Sequence, residues 1–195
     1  MGSFRIGRIA GIDIYIHVSW FIILGLLTWS ISEVFRDING DWATEVVWLL
    51  AAIATILFFT SVLLHELSHS LVAKRLGLPV QHITLFIFGG VSALGGEPTS
   101  ARQEFLVAIA GPMTSFLIAV VSGLVMLIAW QLSDDQAPVT VVAFYLGLVN
   151  VMVGIFNLLP GFPLDGGRVL RATLWAQSGN MLKATRWASN AGTFI

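Results

Sequence analysis

The chain has 195 residues, of which 56% are hydrophobic and 11% are charged, and its mean hydropathy is +0.86. Soluble domains carry about 25% charged residues, so this composition excludes an ordinary soluble globular fold and predicts an integral membrane protein. The net charge of −1 provides no basic surface, which excludes nucleic acid as a partner. Cysteine is absent, so any metal must bind to His, Asp or Glu.

Four apolar stretches are long enough to cross a bilayer. About twenty apolar residues in a helix span the hydrocarbon core, which predicts transmembrane helices at about 14–32, 46–72, 105–132 and 138–160. We therefore expect an all-α polytopic membrane protein with about four transmembrane helices, forming one domain over residues 1–195.

The positive charges predict how these helices are oriented. With the N-terminus in the cytoplasm, nine of the ten Lys and Arg residues fall on the cytosolic side, and Arg36 alone falls outside. We therefore expect a multi-pass protein with a cytoplasmic N-terminus. The mixed, amphipathic residues 168–195 are expected to form a cytosolic linker.

Two segments do not fit a transmembrane helix. Residues 80–95 are rich in β-branched and aromatic side chains, which predicts a small membrane-associated β hairpin or sheet between the second and third spans, with a turn at Gly89-Gly90. Residues 157–167 (NLLPGFPLDGG) contain two prolines and three glycines, which break a helix. Irregular backbone at membrane depth lies buried in protein or lines a wet cavity.

The sequence HELSH at 65–69 follows the HExxH pattern at the end of the second predicted span. His65 and His69 are four residues apart, so on a helix they share a face and can bind one metal ion. Glu66 is rotated by about 100° from His65, which places its carboxylate beside the metal, where it can take a proton from a metal-bound water. A structural polar cluster that joins helices is the alternative interpretation.

Two histidines do not complete a catalytic zinc site, which takes three protein ligands and keeps one open position. Asp165 is the best third candidate, because it is predicted on the same side of the membrane as HExxH, and Gly166-Gly167 allow its backbone to approach closely. Capping a short helix is its alternative role. The other candidates are His17, His82, Glu97 and Glu104.

Two polar residues keep two interpretations each. His17 lies just inside the first predicted span, where it either packs through hydrogen bonds or serves as a ligand. Asn157 lies about two turns before Asp165. It either donates to a substrate carbonyl or developing oxyanion, or it satisfies backbone carbonyls freed by Pro160.

The two separated motifs, HELSH and NLLPGFPLDGG, resemble those of the site-2 protease family of intramembrane zinc metalloproteases. The similarity covers most of the chain and includes three shorter segments: IHVSW at 16–20, GGV at 89–91 and AGP at 110–112.

The resemblance implies roles for five residues. One zinc ion would bind His65, His69 and Asp165, and Glu66 would act as the general base toward the zinc-activated water. Asn157 would help to hold the substrate or the transition state.

The resemblance also implies a function and a setting. The chain would hydrolyse a peptide bond within or near a transmembrane helix of a membrane-protein substrate, in the plasma membrane, with its active site near the cytosolic side. Independently of the resemblance, a helix that unwinds for cleavage frees backbone groups that need partners, so we expect an extended substrate to pair with the strands predicted at 80–95. Whether the chain forms a homo-oligomer stays open.

The chain departs from its relatives in length. No PDZ-like segment lies between the second and third predicted spans. Relatives with such short first loops commonly have six spans, and many carry cytosolic CBS domains, so we expect this chain to end before them.

The main alternative is a membrane metal-ion transporter or sensor that uses the same ligands, for which Glu66 would be dispensable. A prenyl-protein peptidase is a second alternative, and it would take a downstream Glu, such as Glu97 or Glu104, as its third ligand.

Overall fold

The computed structural model describes residues 2–133 and 137–192, and the description below refers to these residues. The first half contains strands and helices in the order β1 (Ser3–Ile9), β2 (Ile12–His17), α1 (Ser19–Ile38) and α2 (Thr44–Arg75). The second half continues with β3 (Val80–Phe86), β4 (Gly89–Leu94), α3 (Ala101–Leu132), α4 (Pro138–Asn157), α5 (Asp165–Ser178) and α6 (Met181–Gly192).

Three helices in the described part of the chain are long and apolar enough to cross a membrane, namely α2, α3 and α4. Helices α2 and α3 cover the residues of the spans predicted at 46–72 and 105–132. The span predicted at 138–160 ends earlier, at Asn157, because the segment that contains Pro160 and Pro163 follows.

The span predicted at 14–32 is wrong at its start. Residues Ile12–His17 form β2, in which the apolar side chains at 12, 14 and 16 are buried and the residues between them are partly exposed. Helix α1 begins only at Ser19, and its last turns carry Glu33, Arg36 and Asp37. These charges explain why α1 is not among the three apolar helices.

The strands form one sheet in the order β1-β2-β3-β4, with antiparallel outer pairs and a parallel β2–β3 pair. The β3–β4 hairpin confirms the strands predicted at 80–95. Its turn falls at Ile87-Phe88, two residues before the predicted Gly89-Gly90, because Phe86 pairs with Gly89. The sequence reasoning did not predict β1 and β2.

The sheet packs on the C-terminal half of α2. Ile12, Ile14 and Ile83 form one buried apolar cluster with Leu67 of that helix. Ser92 of β4 is joined to α2 by a 2.7 Å hydrogen bond between its hydroxyl and that of Ser70. The HELSH segment therefore lies where the apolar helix meets the sheet.

The segment predicted as a linker at 168–195 forms most of α5 and the whole of α6, and its residues 193–195 lie outside the described part. Helix α5 buries Ala172, and α6 buries Ala184 and Ala188. Helix α5 packs against α3 and α6. Buried alanine side chains thus pack these two helices, although their charged residues had suggested a solvent-exposed linker.

Candidate metal centre

Three side chains from two distant segments converge in the C-terminal half of α2. Asp165 Oδ2 lies 3.2 Å from Nε2 of His65 and 3.1 Å from Nε2 of His69. Both histidines are buried, and the Asp165 side chain is 12% exposed. Among the described residues, these three form the one group of His, Asp and Glu whose potential ligand atoms all lie within 4.8 Å of one another.

This arrangement fits a zinc ion by its donor set and by its spacing. Zinc accepts imidazole nitrogen and carboxylate oxygen at bonds of about 2.0–2.2 Å, so two ligands of a tetrahedral site lie about 3.3 Å apart. The two distances to Asp165 Oδ2 are close to that separation. Three protein ligands leave one position open, as catalytic zinc sites do.

Helix α3 orients both imidazole rings. Nδ1 of His65 lies 2.9 Å from the hydroxyl of buried Ser115, and Nδ1 of His69 donates to the carbonyl of Val107 over 2.6 Å. Because the outer nitrogens are engaged, both Nε2 atoms face Asp165. Such outer hydrogen bonds fix the ring orientation of metal-binding histidines.

Gly111 allows α3 to approach this closely. A Cβ atom at this position would overlap Nε2 of both His65 and His69, whereas a Cβ at Gly123 of the same helix would meet open space. Because Gly111 has no side chain, space remains for Nε2 of both histidines beside Asp165. Small residues permit such close contact between membrane helices.

The irregular segment between α4 and α5 carries Asp165 to the histidines. Asp165 is the first residue of α5, and a Cβ at Gly166 or Gly167 would overlap backbone atoms of residues 158–162. Burial by itself would raise the pKa of Asp165. The hydrogen bonds from His65 and His69 outweigh burial and hold the pKa of this carboxyl well below its usual range.

Glu66 stands at the boundary of two cavities. A cavity of about 240 Å³ has a mainly polar lining that includes Glu66, His69, Asn157, Asp165 and Arg168. A larger cavity of about 570 Å³ reaches the same Glu66 from the apolar side, between Phe58 and Phe59 of α2 and Phe156 of α4. The site is therefore open both to a polar space and to an apolar one.

The other candidates for a third ligand lie elsewhere. His17 is hydrogen-bonded to Ser19 over 2.7 Å, which matches its packing interpretation. The ring of His82 packs edge-on against that of Tyr15. Glu97 is exposed, and Glu104 is paired with Arg171.

Sequence reasoning missed the contacts that surround the candidate ligands, although it had included Gly111 in the AGP segment at 110–112. Ser115 and Gly111 lie inside an apolar helix, where small residues also serve ordinary helix packing. The Val107 contact is made by a backbone carbonyl, which carries no side-chain signal. Arg168 could have been predicted at the site, because it lies three residues after Asp165 and residues three apart on a helix are neighbours on its surface.

Comparison with known proteins is consistent with this geometry. The sequence profile of peptidase family M50 matches residues 53–133 and 121–195. The chain is 42% identical over 192 residues to the provisionally assigned zinc metalloprotease Rip3 of Mycobacterium tuberculosis, covering 97% of this chain and 48% of that protein. It is 38% identical over 172 residues to the zinc metalloprotease MJ0392 of Methanocaldococcus jannaschii, covering 88% of this chain and 45% of that protein.

A solved structure matches as well. The site-2 protease from Methanocaldococcus jannaschii superposes with a TM-score of 0.62 at 37% identity, covering 97% of this chain and 79% of that one. The chain spans about half of the length of the curated relatives it matches.

The contact at Gly111 gives a direct test of the centre. Gly111→Ala should remove most of the bound divalent metal, because the new methyl group occupies the space of both Nε2 atoms. Metal per chain, measured by elemental analysis after gel filtration, is the readout. Gly123→Ala is the matched control and should keep the wild-type content. Full metal content in Gly111→Ala would contradict the geometry described here.

Proposed function

The chain belongs to peptidase family M50, and from this premise we propose that it is an intramembrane zinc metalloprotease. It hydrolyses a peptide bond within or near a transmembrane helix of a membrane-protein substrate. The observation that carries the proposal is the convergence of His65, His69 and Asp165 beside Glu66 in the C-terminal half of an apolar helix. Buried ionisable groups in such a helix are costly and mark functional sites.

We assign His65, His69 and Asp165 as the zinc ligands. Zinc bound there supplies Lewis acidity, which lowers the pKa of water and polarises a carbonyl group. The protein holds the ligands in place through Ser115 and the carbonyl of Val107. Since these contacts come from α3, the ligand geometry is fixed before a substrate arrives.

Glu66 is the proposed general base. It follows His65 directly on α2 and faces both cavities, so its carboxylate can take a proton from the attacking water and return it to the leaving amine. A Cβ at Gly90 of β4 would overlap the Glu66 side chain, which shows how closely the strand borders this carboxylate. The strand thus limits the positions that the general base can adopt.

Asn157 is proposed to contact the substrate or the transition state. It lines both cavities, and its side-chain amide donates to the carbonyl of Val153 over 2.9 Å. One amide N–H remains for a substrate carbonyl or a developing oxyanion.

The substrate is proposed to enter as an extended strand beside β4. This strand is an edge of the sheet, and its residues 90–92 line the polar cavity beside Glu66 and Asp165. A cleaved helix must first release backbone N–H and C=O groups, which need partners in apolar surroundings. An edge strand offers those partners.

The site is proposed to lie near the cytosolic face of the cell membrane. From Thr44 to His65, α2 rises roughly 32 Å, about the thickness of the hydrocarbon core. Basic residues cluster at the end of the bundle that contains His65. Lys74 of α2 donates to the carbonyl of Ala10, just after Arg8, and Gln103, next to Arg102, donates to that of Leu76. Arg168 of α5 lines one cavity with His69. An excess of Lys and Arg marks the cytosolic side.

Asp165→Ala tests the ligand assignment. Wild-type protein should bind close to one zinc ion per chain, and the variant should lose most of it, because two histidines alone form an incomplete site. Zinc per purified chain is measured by mass spectrometry of the metal. Asp37→Ala, which removes an exposed carboxylate from α1, is the control. Full zinc occupancy in Asp165→Ala would reject Asp165 as an essential ligand.

Glu66→Gln tests the general base. The variant should keep its zinc but cleave about 10²–10⁴ times more slowly, because the amide cannot take the proton. Cleavage is followed by mass spectrometry on a mixture of single-span model substrates reconstituted in liposomes. Glu45→Gln, at the other end of the same helix, should cleave at the wild-type rate.

The same assay separates the protease from a metal transporter or sensor. Unchanged cleavage in Glu66→Gln would reject the assigned role. Wild-type protein that cleaves none of the substrates but carries zinc across the liposome membrane would favour the transporter.

A proline series along β4 tests substrate pairing. Single replacements of Val91, Ser92 and Ala93 by Pro each remove one backbone donor, and those that remove a donor facing the substrate should lower cleavage without removing zinc. Ile6→Pro, in the opposite edge strand β1, should leave cleavage unchanged. Cleavage at the wild-type rate in all three β4 variants would contradict substrate pairing with β4.

A further inference from the structure

Glu104 is a fully buried carboxylate that lies outside the proposed metal site. It is in the first turn of α3 and is 0% exposed. Its Oε1 accepts hydrogen bonds from Nε of Arg171, over 2.7 Å, and from a terminal nitrogen of the same guanidinium. Its Oε2 is buried and has no hydrogen-bond partner.

Stability alone does not account for this ion pair. Removing two charges from water costs free energy that their attraction often fails to offset, and apolar residues of similar size are frequently as stable or more so. The unpartnered Oε2 adds a further unfavourable burial. The pair therefore has a role that two apolar side chains could not fulfil. Its hydrogen bonds are directional, so they can fix the position of one helix relative to the other.

Arg171 connects α3 to the segment that carries Asp165. It lies in α5, six residues after Asp165, and its guanidinium is 5.4 Å from the centre of the Phe162 ring. Phe162 belongs to the irregular segment that leads into α5, and a cation over an aromatic face is attracted to it. One guanidinium thus joins α3, α5 and the segment before α5.

The segment before α5 packs closely against the beginning of α5. Gly166 and Gly167 pack so closely on residues 158–162 that a Cβ at either position would overlap their backbone. Among the described residues, the salt bridge that joins α5 to α3 is the Glu104–Arg171 pair. Helix α3 also orients His65 and His69, through Ser115 and Val107.

We propose that Glu104 and Arg171 are positioning residues, which set Asp165 at binding distance from the two histidines by tying its helix to α3. Contacts with α3 then position both the two histidines and Asp165. This inference rests on the proposed function only in taking Asp165 as a zinc ligand. It predicts that the pair controls zinc affinity beyond any effect on the stability of the fold.

The double variant Glu104→Leu/Arg171→Leu separates these two effects. Apolar replacement of a buried pair should keep the thermal unfolding temperature near the wild-type value. The dissociation constant for zinc, measured by competition with a chromophoric chelator in detergent, should rise at least about tenfold, as for other groups that orient metal ligands. Amide hydrogen exchange across residues 158–168 of the metal-free protein should also become faster.

Two controls fix the interpretation. Arg102→Met removes an exposed positive charge two residues before Glu104 and should leave zinc affinity unchanged. Phe35→Leu loosens the apolar core at the far end of α1 and lowers stability without touching the site. If the double variant is also less stable, it must bind zinc at least tenfold more weakly than Phe35→Leu does.

Zinc affinity of the double variant within twofold of the wild type, or no weaker than that of Phe35→Leu, would overturn the positioning role. The proposed ligands would stand in that case, because the wild-type protein would still bind zinc. A wild-type chain that binds no zinc would overturn the ligand assignment itself, and the positioning role with it.

Discussion

The close approach of α3 to the histidine-bearing face of α2 is the contact on which the proposed centre depends. Gly111 leaves space for both Nε2 atoms, and Ser115 and the Val107 carbonyl hold the opposite sides of the rings. In hydrocarbon there is little hydrophobic force between helices, so close packing and hydrogen bonds must hold them together. The same contact therefore joins two membrane helices and shapes the ligand set.

Much of this centre could be predicted because its signals are local in sequence. A four-residue spacing places His65 and His69 on one face of any helix, and hydropathy identifies α2, α3 and α4 without knowledge of their neighbours. Predicting Asp165 required one further inference, namely that the apolar stretch before it ends on the same side of the membrane as HELSH. The structure brings its Oδ2 within 3.2 Å of both Nε2 atoms, and its role as a ligand stays a prediction.

What could not be predicted depends on contacts between distant segments. Strand β2 alternates Ile12, Ile14 and Ile16 with partly exposed residues, a strand pattern that a hydropathy window averages into the apolar stretch after it. Its parallel partner β3 begins more than sixty residues later, so no local turn signal connects them. The Glu104–Arg171 pair is hidden in the same way, since each charged residue by itself suggests an exposed position on a helix.

The position of the sheet adds a physical argument for how a helix could be cleaved here. The apolar cavity between Phe58 and Phe156 suits a segment that is still surrounded by lipid, whereas the cavity beside Asn157 is mainly polar. In the proposed mechanism, a substrate that passes from one cavity to the other would lose its internal hydrogen bonds beside Glu66, which Gly90 of β4 contacts closely. If the strand accepts those released groups, local unfolding of the substrate and its delivery to the general base are one event, and no separate unfolding device is required.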